Sequence, residues 1–155
     1  MTDIPLRFKR PESVLVVVYT TAGQVLMLRR RWPPDFWQSV TGSLKWDEDE
    51  PIVAARRELA EETGLGETVT VIDCQVTNRF PIQPAWQHFY GPHARENTEH
   101  VFRVALPEPE PVILNPEEHT EYRWLPRAEA AAKATSYTNR DAILLFVKDF
   151  SQEKK

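Results

Sequence analysis

Cysteine, glycine, long apolar runs and basic charge are all scarce in this chain, and each scarcity excludes something. The one cysteine in 155 residues, Cys74, cannot form an internal disulfide. A reducing compartment, the cytoplasm, is therefore expected. The longest apolar run spans only residues 14–19, far short of the roughly 20 residues that cross a bilayer, so no membrane span is expected. The first eleven residues are polar and basic and hold no apolar stretch with a small-residue cleavage site, so no export signal is expected either. Nineteen Lys+Arg against 23 Asp+Glu give a formal net charge of -4. A duplex-binding domain needs a basic excess, so nucleic acid is not an expected partner. Five glycines stand against thirteen prolines, which implies loops stiffened by fixed φ angles.

What is present suffices for a folded unit. A hydrophobic fraction of 41% with 27% charged residues supports a buried core under a solvated surface. The length suits a single domain over 1–155, with 1–10 as an N-terminal extension and 151–155 as a frayed tail. The β-branched runs 13–19 and 25–28, separated by a Thr-Ala-Gly-Gln turn, predict a hairpin, and 36–41 predicts a short third strand ending at Gly42. Residues 51–63 change to helical spacing, with Ile52, Ala55 and Leu59 on one face and charges on the other. Pro51 suits the first turn and Gly64 the stop. Strands are predicted over 68–76, 99–106 and 121–125, and helices over 127–134 and 139–150. Residues 107–116 read as an acidic, proline-punctuated loop. A mixed sheet with helices on its faces is the economical α/β architecture.

Glu58, Glu61 and Glu62 fall at i, i+3 and i+4, which stacks three like charges on one side of the helix. Either they form a solvated acidic face, or a hard divalent cation with oxygen ligands offsets their repulsion. Pairing with Arg56 and Arg57 at the surface would offset it only weakly.

With the glycine upstream, these residues resemble the signature of the Nudix hydrolases: a Gly, five residues, a Glu, seven residues, then Arg-Glu-U-x-Glu-Glu-x-Gly-U, with U a bulky aliphatic. The second half corresponds to Arg57, Glu58, Leu59, Glu61, Glu62, Gly64 and Leu65, and the first to Gly42 and Glu48. The join differs, because eight residues, 49–56, separate Glu48 from Arg57. Either Glu48 keeps its spacing from Gly42, or Asp49 keeps its spacing to Arg57 and takes over the acidic role. The resemblance implies a Nudix-type α/β/α sandwich with a mixed sheet and a loop-helix box. It also implies Mg²⁺, with Mn²⁺ as an alternative, held by Glu58, Glu61 and Glu62 and oriented through Arg57, with Glu61 as the candidate base.

The flanks resemble more closely the bacterial branch of the family that acts as dihydroneopterin triphosphate diphosphatase. The similar stretches are 9–11, 35–43, 97–99, 118–119, 122–124 and 136–140. They imply substrate contacts by Lys9, Arg10, Arg30, Trp37, Gln38, Asn97, Ser136 and Asn139, and a further catalytic and metal-binding carboxylate, Glu118. Each has a plainer reading: Lys9 and Arg10 as a solvated strand entry, Trp37 as core, Gln38 and Asn97 as turn closures, His119 as a loop residue. Trp86, Phe89 and Tyr90 either form a lid over a ring or pack their loop down. The expected reaction is Mg²⁺-dependent hydrolysis of dihydroneopterin triphosphate to the monophosphate and pyrophosphate, in the pathway to folate. One alternative is a broader nucleoside triphosphate pyrophosphatase that cleanses the nucleotide pool. An alternative of another class is a non-catalytic binding module, whose signature would be loss of the three box carboxylates; all three are present.

Overall fold

The computed structural model describes residues 8–66 and 68–148, so the expected tail at 151–155 and most of the N-terminal extension lie outside the described residues. Seven strands form one mixed sheet: β1 (Glu12–Thr20), β2 (Gln24–Arg30), β3 (Trp37–Gln38), β4 (Val40–Ser43), β5 (Ile72–Pro81), β6 (Glu96–Leu106) and β7 (His119–Pro126). Three helices accompany it: α1 (Pro51–Thr63), α2 (Arg127–Lys133) and α3 (Tyr137–Phe146), with a 3-10 turn at Pro84–Phe89. The strand order is β3-β2-β1-β6-β5, with β4 also on β1 and β7 also on β2. Only the β1–β6 pair is parallel among the described ladders.

β1 explains why its sequence is a continuous apolar run and not an alternating one. Val14, Val16 and Val18 pack into a core with Ala54, Ala55 and Leu59 of α1. Leu15 and Val17 point the other way, into a second core with Ala130 and Ala131 of α2 and Ala142 and Ile143 of α3. A strand covered on both faces has no solvent side to mark with polar residues. The result is the expected α/β/α sandwich. Among the described residues no helix is long and apolar enough to cross a membrane.

Several predicted elements are re-bounded by tertiary pairing. The single strand expected over 36–41 is two short ones, because the chain changes partner at Ser39: Gln38 lies opposite Leu28 of β2, while Val40 to Ser43 pair with β1. Ser39 itself is buried, its N–H donating to Asn139 Oδ1 at 2.7 Å and its Oγ accepting from Asn139 Nδ2 at 2.9 Å. The strand expected over 68–76 instead runs to Pro81 and carries a bulge between Asp73 and Val76, where Gln75 has φ 60°. Half-buried Cys74 lies in that bulge, its thiol pushed up to about 11 by burial. The last helix begins two residues earlier than expected, because Ser136 caps it by accepting from the Asn139 N–H at 3.2 Å, and it ends at Phe146, where Val147 turns extended.

β1 and β2 are in register beside their turn, at Tyr19 and Val25, and β3 and β4 occupy the fork that opens beyond it. The beginning of β1, the end of β2 and both short strands thus meet at one end of the sheet. α1 delivers its box residues to the same end.

Candidate active site

Helix α1 spans the predicted residues and stops where Gly64 takes φ 73° and its N–H reaches Ala60 O at 2.9 Å. Its faces differ from the expectation. The buried face carries Ala54, Ala55, Leu59 and also Glu58 and Glu62, whereas the Glu61 side chain remains 51% exposed. At 100° per residue Glu58 and Glu62 lie on the same stripe as Ala55 and Leu59, so burial of that stripe takes two carboxylates inside. Glu62 is only 1% exposed.

Burial raises the pKa of both groups. Glu62 is driven well above the usual carboxylate range, by desolvation first and then by the neighbouring Glu58 charge. Glu58 is raised by desolvation, opposed by the Arg57 charge and by its bond with Glu62. Gly42 packs against this pair so tightly that a Cβ placed there would fall on the Glu58 carboxylate. The absent side chain of Gly42 is the space that the Glu58 carboxylate fills.

Arg57 organises the rest. Its Nε and Nη2 take the two oxygens of Glu48 at 2.8 and 2.9 Å, a fork-to-fork pair. Its Nη1 reaches Glu58 Oε2 at 3.1 Å and Glu61 Oε1 at 3.3 Å. The Glu48 carboxyl is accordingly held below the usual range, by the Arg57 bonds first, and Glu48 Oε1 also accepts from the Lys45 N–H. Asp49 is exposed. The extra residue of the loop is therefore accommodated after Glu48, which keeps its spacing from Gly42 and is the acid that meets Arg57. Glu48→Gln is expected to lower kcat/KM by on the order of 10-fold, the usual effect of loosening a residue that orients ligands, and Asp49→Asn to change it less than about twofold. Steady-state kinetics on both variants checks this; equal effects would mean the two acids share the position.

A cleft of about 740 Å³ opens beside these groups, lined by Glu58, Glu61 and Glu62 on one side and by Lys9, Arg30 and Glu118 near them. Among the described residues no three carboxylate, thiol or imidazole groups already converge on one point. The four glutamates expected as ligands, Glu58, Glu61, Glu62 and Glu118, all line this cleft. Arg57 holds Glu58 and Glu61, Glu62 accepts from the Thr41 N–H at 3.4 Å, and Glu118 takes an amide N–H of Asn115 at 3.5 Å. The donor set still fits a divalent cation: two buried carboxylates repel each other, with a third within reach on the same helix, and all supply oxygen.

Arg30 is held over Trp86 at 5.1 Å and Phe36 at 5.7 Å, its Nε bonded to Trp32 O at 2.8 Å. Burial lowers its pKa, opposed by Glu62 and Glu118. Trp86 packs edge-on against Trp32 and Phe36 and tilted against Phe89, so the aromatic loop is packed down while Trp86 and Tyr90 still line the cleft. His119 is not a loop residue. It opens β7, is 2% exposed, and lies 4.0 Å from Glu62 Oε1. Burial and Arg30 lower its pKa to about 4, so it is neutral at pH 7, with Gln38 Nε2 3.3 Å from its Nε2.

Six of the eight residues expected at substrate line the cleft: Lys9, Arg30, Gln38, Asn97, Ser136 and Asn139. Asn139 spends its amide on Ser39, so it shapes the wall and has little left to offer a ligand. The other two do not line it. Trp37 is buried in the second core, with Lys133 and Arg123 over its ring at 4.9 and 5.3 Å. Arg10 donates to Lys45 O, Glu48 O and Glu12 Oε1 at 2.8 to 2.9 Å and clamps the box loop instead. Sequence reasoning missed Ser13, Glu99 and Thr138, all on the cleft. The signal available was period two: Asn97, Glu99 and Val101 alternate along β6, and Val101 is core.

A family profile described as the NUDIX domain matches residues 9–146. The chain is 46% identical over 144 residues to the dihydroneopterin triphosphate diphosphatase of Escherichia coli (strain K12), covering 90% of this chain and 94% of that protein. It is 36% identical over 142 residues to the protein of the same name from Haemophilus influenzae, covering 89% and 88%. The solved structure of the E. coli dihydroneopterin triphosphate pyrophosphohydrolase superposes with a TM-score of 0.83, over 90% of this chain and 97% of that one.

Proposed function

Because this chain belongs to the NUDIX family, we propose that its cleft hydrolyses dihydroneopterin triphosphate, releasing pyrophosphate and leaving dihydroneopterin monophosphate in the pathway to folate. The relatives of that name, similar over nearly their whole length, support this substrate. The observation that carries the chemistry is the pair of buried carboxylates, Glu58 and Glu62, facing a cleft that also presents Lys9 and Arg30.

Members of this family use a divalent metal, and Mg²⁺ is the proposed ion here, with Glu58, Glu61, Glu62 and Glu118 as the residues that would hold it. When bound, such an ion neutralises polyphosphate charge and acidifies a bound water. The chain's own residues do the rest. Arg57 holds Glu58 and Glu61 in place through Nη1 and is itself anchored on Glu48. Lys9 and Arg30 supply cations for phosphate oxygens, Arg30 fixed by its stacking on Trp86. Water attacks phosphorus, the anhydride P–O bond breaks toward the leaving pyrophosphate, and the water proton passes to a carboxylate. Glu61 is the proposed acceptor, since it lines the cleft and its side chain is the exposed one of the three.

A substrate panel tests this reading. Purified protein with Mg²⁺ should turn over dihydroneopterin triphosphate with pyrophosphate as the released product, and cleave dATP and 8-oxo-dGTP with kcat/KM lower by on the order of 10-fold or more. Comparable turnover of all three would assign the chain to general nucleotide cleansing instead. Binding without turnover would make it a non-catalytic module.

A further inference from the structure

The cleft holds one more buried acid, for which the hydrolytic step has no use. Glu99 follows Asn97 by two residues on β6, so both project from one face of the strand. Both line the cleft, at 6% and 5% exposure. In the sheet Glu99 lies between Ser13 of β1 and Asn78 of β5. Its Oε1 accepts from Asn78 Nδ2 at 3.2 Å, and the Thr138 side chain, in the first turn of α3, hydrogen-bonds it as well. Both of these neighbours are neutral. An ionised carboxylate offers about four acceptor sites, so about two remain.

Asn97 adds an independent observation. Its Nδ2 donates to Ser13 Oγ at 2.8 Å, but its Oδ1 is buried with no partner among the described residues. A buried acceptor without a donor carries an uncompensated desolvation cost. Leu15 and Phe80 line the same cleft. A slot with apolar walls and unfilled acceptors suits a flat ring that presents adjacent N–H donors.

We propose that Glu99 recognises the pyrimidine edge of the pterin, accepting from the ring N–H and the exocyclic amine, with Asn97 Oδ1 as a further acceptor for that amine. This rests on the substrate proposed above and adds which residue selects it. Guanine presents the same pair of donors. Adenine presents a ring nitrogen lone pair there, which would face the carboxylate, so the site should discriminate against it.

The test compares wild type, Glu99→Gln and Glu99→Asp, with Mg²⁺, on dihydroneopterin triphosphate and dATP. Glutamine keeps the shape but turns an N–H toward the ring donors. The ratio of kcat/KM for the two substrates should collapse by on the order of 10²-fold in Glu99→Gln, and by less in Glu99→Asp, which keeps the charge and would carry the test if the first variant misfolds. Titration of neopterin, which has no phosphate, by its fluorescence in metal-free protein should show binding to wild type and at least tenfold weaker binding to Glu99→Gln. An unchanged ratio, with equal losses on both substrates, would overturn the assignment and leave Glu99 a structural residue. Failure of the wild type on dihydroneopterin triphosphate would overturn the substrate reading instead, so the two failures are read from different proteins.

Discussion

Glu62→Gln is expected to lower kcat/KM by on the order of 10²- to 10³-fold while leaving the metal-free protein at least as stable as wild type. A loss of that size is roughly 3 to 4 kcal/mol of transition-state stabilisation at 1.36 kcal/mol per decade. Opposite effects on activity and stability follow from where the group lies. Glu62 is buried beside Glu58, so its charge is unfavourable to the fold until a cation compensates it. Glutamine keeps an acceptor for the Thr41 N–H and removes the repulsion. The pH dependence has a definite sign. Folding raises the Glu62 pKa well above 4.5, so just above that pH the native state holds more protons than the unfolded one. Wild-type stability therefore contains a contribution that is fully present below about pH 4.5 and lost as pH rises through the folded pKa. The stability advantage of Glu62→Gln should be absent in acid and grow toward neutrality. His119 acts oppositely between pH 6.5 and about 4, in both proteins, and largely cancels in the difference. Thermal melts across pH, without metal, measure it. Added Mg²⁺ should raise the wild-type Tm, by about 2.7 kcal/mol of stabilisation at 100 times its Kd, and raise that of the variant much less. Full activity in Glu62→Gln would remove the buried carboxylate pair from the reaction.

Gly42→Ala should abolish most activity by a different route, with a loss on the order of 10²-fold and a Tm within a few degrees of wild type. Gly42 does not have the positive φ that would forbid a side chain; Gly23 and Gly64 do. What an alanine methyl meets is the far end of the Glu58 side chain, which can swing away at little cost to the fold but not without leaving its place in the site. Gly66→Ala is the matched control, since a Cβ there has nothing within 4 Å, and both its activity and its Tm should match wild type. An active Gly42→Ala enzyme would mean that Glu58 need not sit where the structure puts it.

Much of this is legible in the sequence. Helix 51–63 needed only its period, Pro51 and Gly64, and the box residues needed only their spacing. The period alone sets the charges opposite Ile52, Ala55 and Leu59, whereas in the structure the stripe through Ala55 and Leu59 carries Glu58 and Glu62 with it. Trp37 and Arg10 were placed at the substrate on resemblance, yet one packs under α2 and the other ties the start of β1 to the box loop. Stretch 97–99 carries the resemblance, but only Asn97 is expected at the substrate from it; that Glu99 shares the cleft follows from β5, β1 and α3 closing around it.

The sequence by itself determined the sheet-forming runs, the carboxylate helix and the family, since all three depend on residue types at short, fixed spacings. Tertiary structure alone decided that Glu48 and not Asp49 meets Arg57, that the chain switches partners at Ser39, and that Asn97 and Glu99 share a cleft with the box. Those outcomes depend on which distant segment covers each face. Asn139 reaches Ser39 across 100 positions of chain, and β6 lies beside β1 after more than eighty residues. Local spacing says which side chains share a face; only packing says what that face meets.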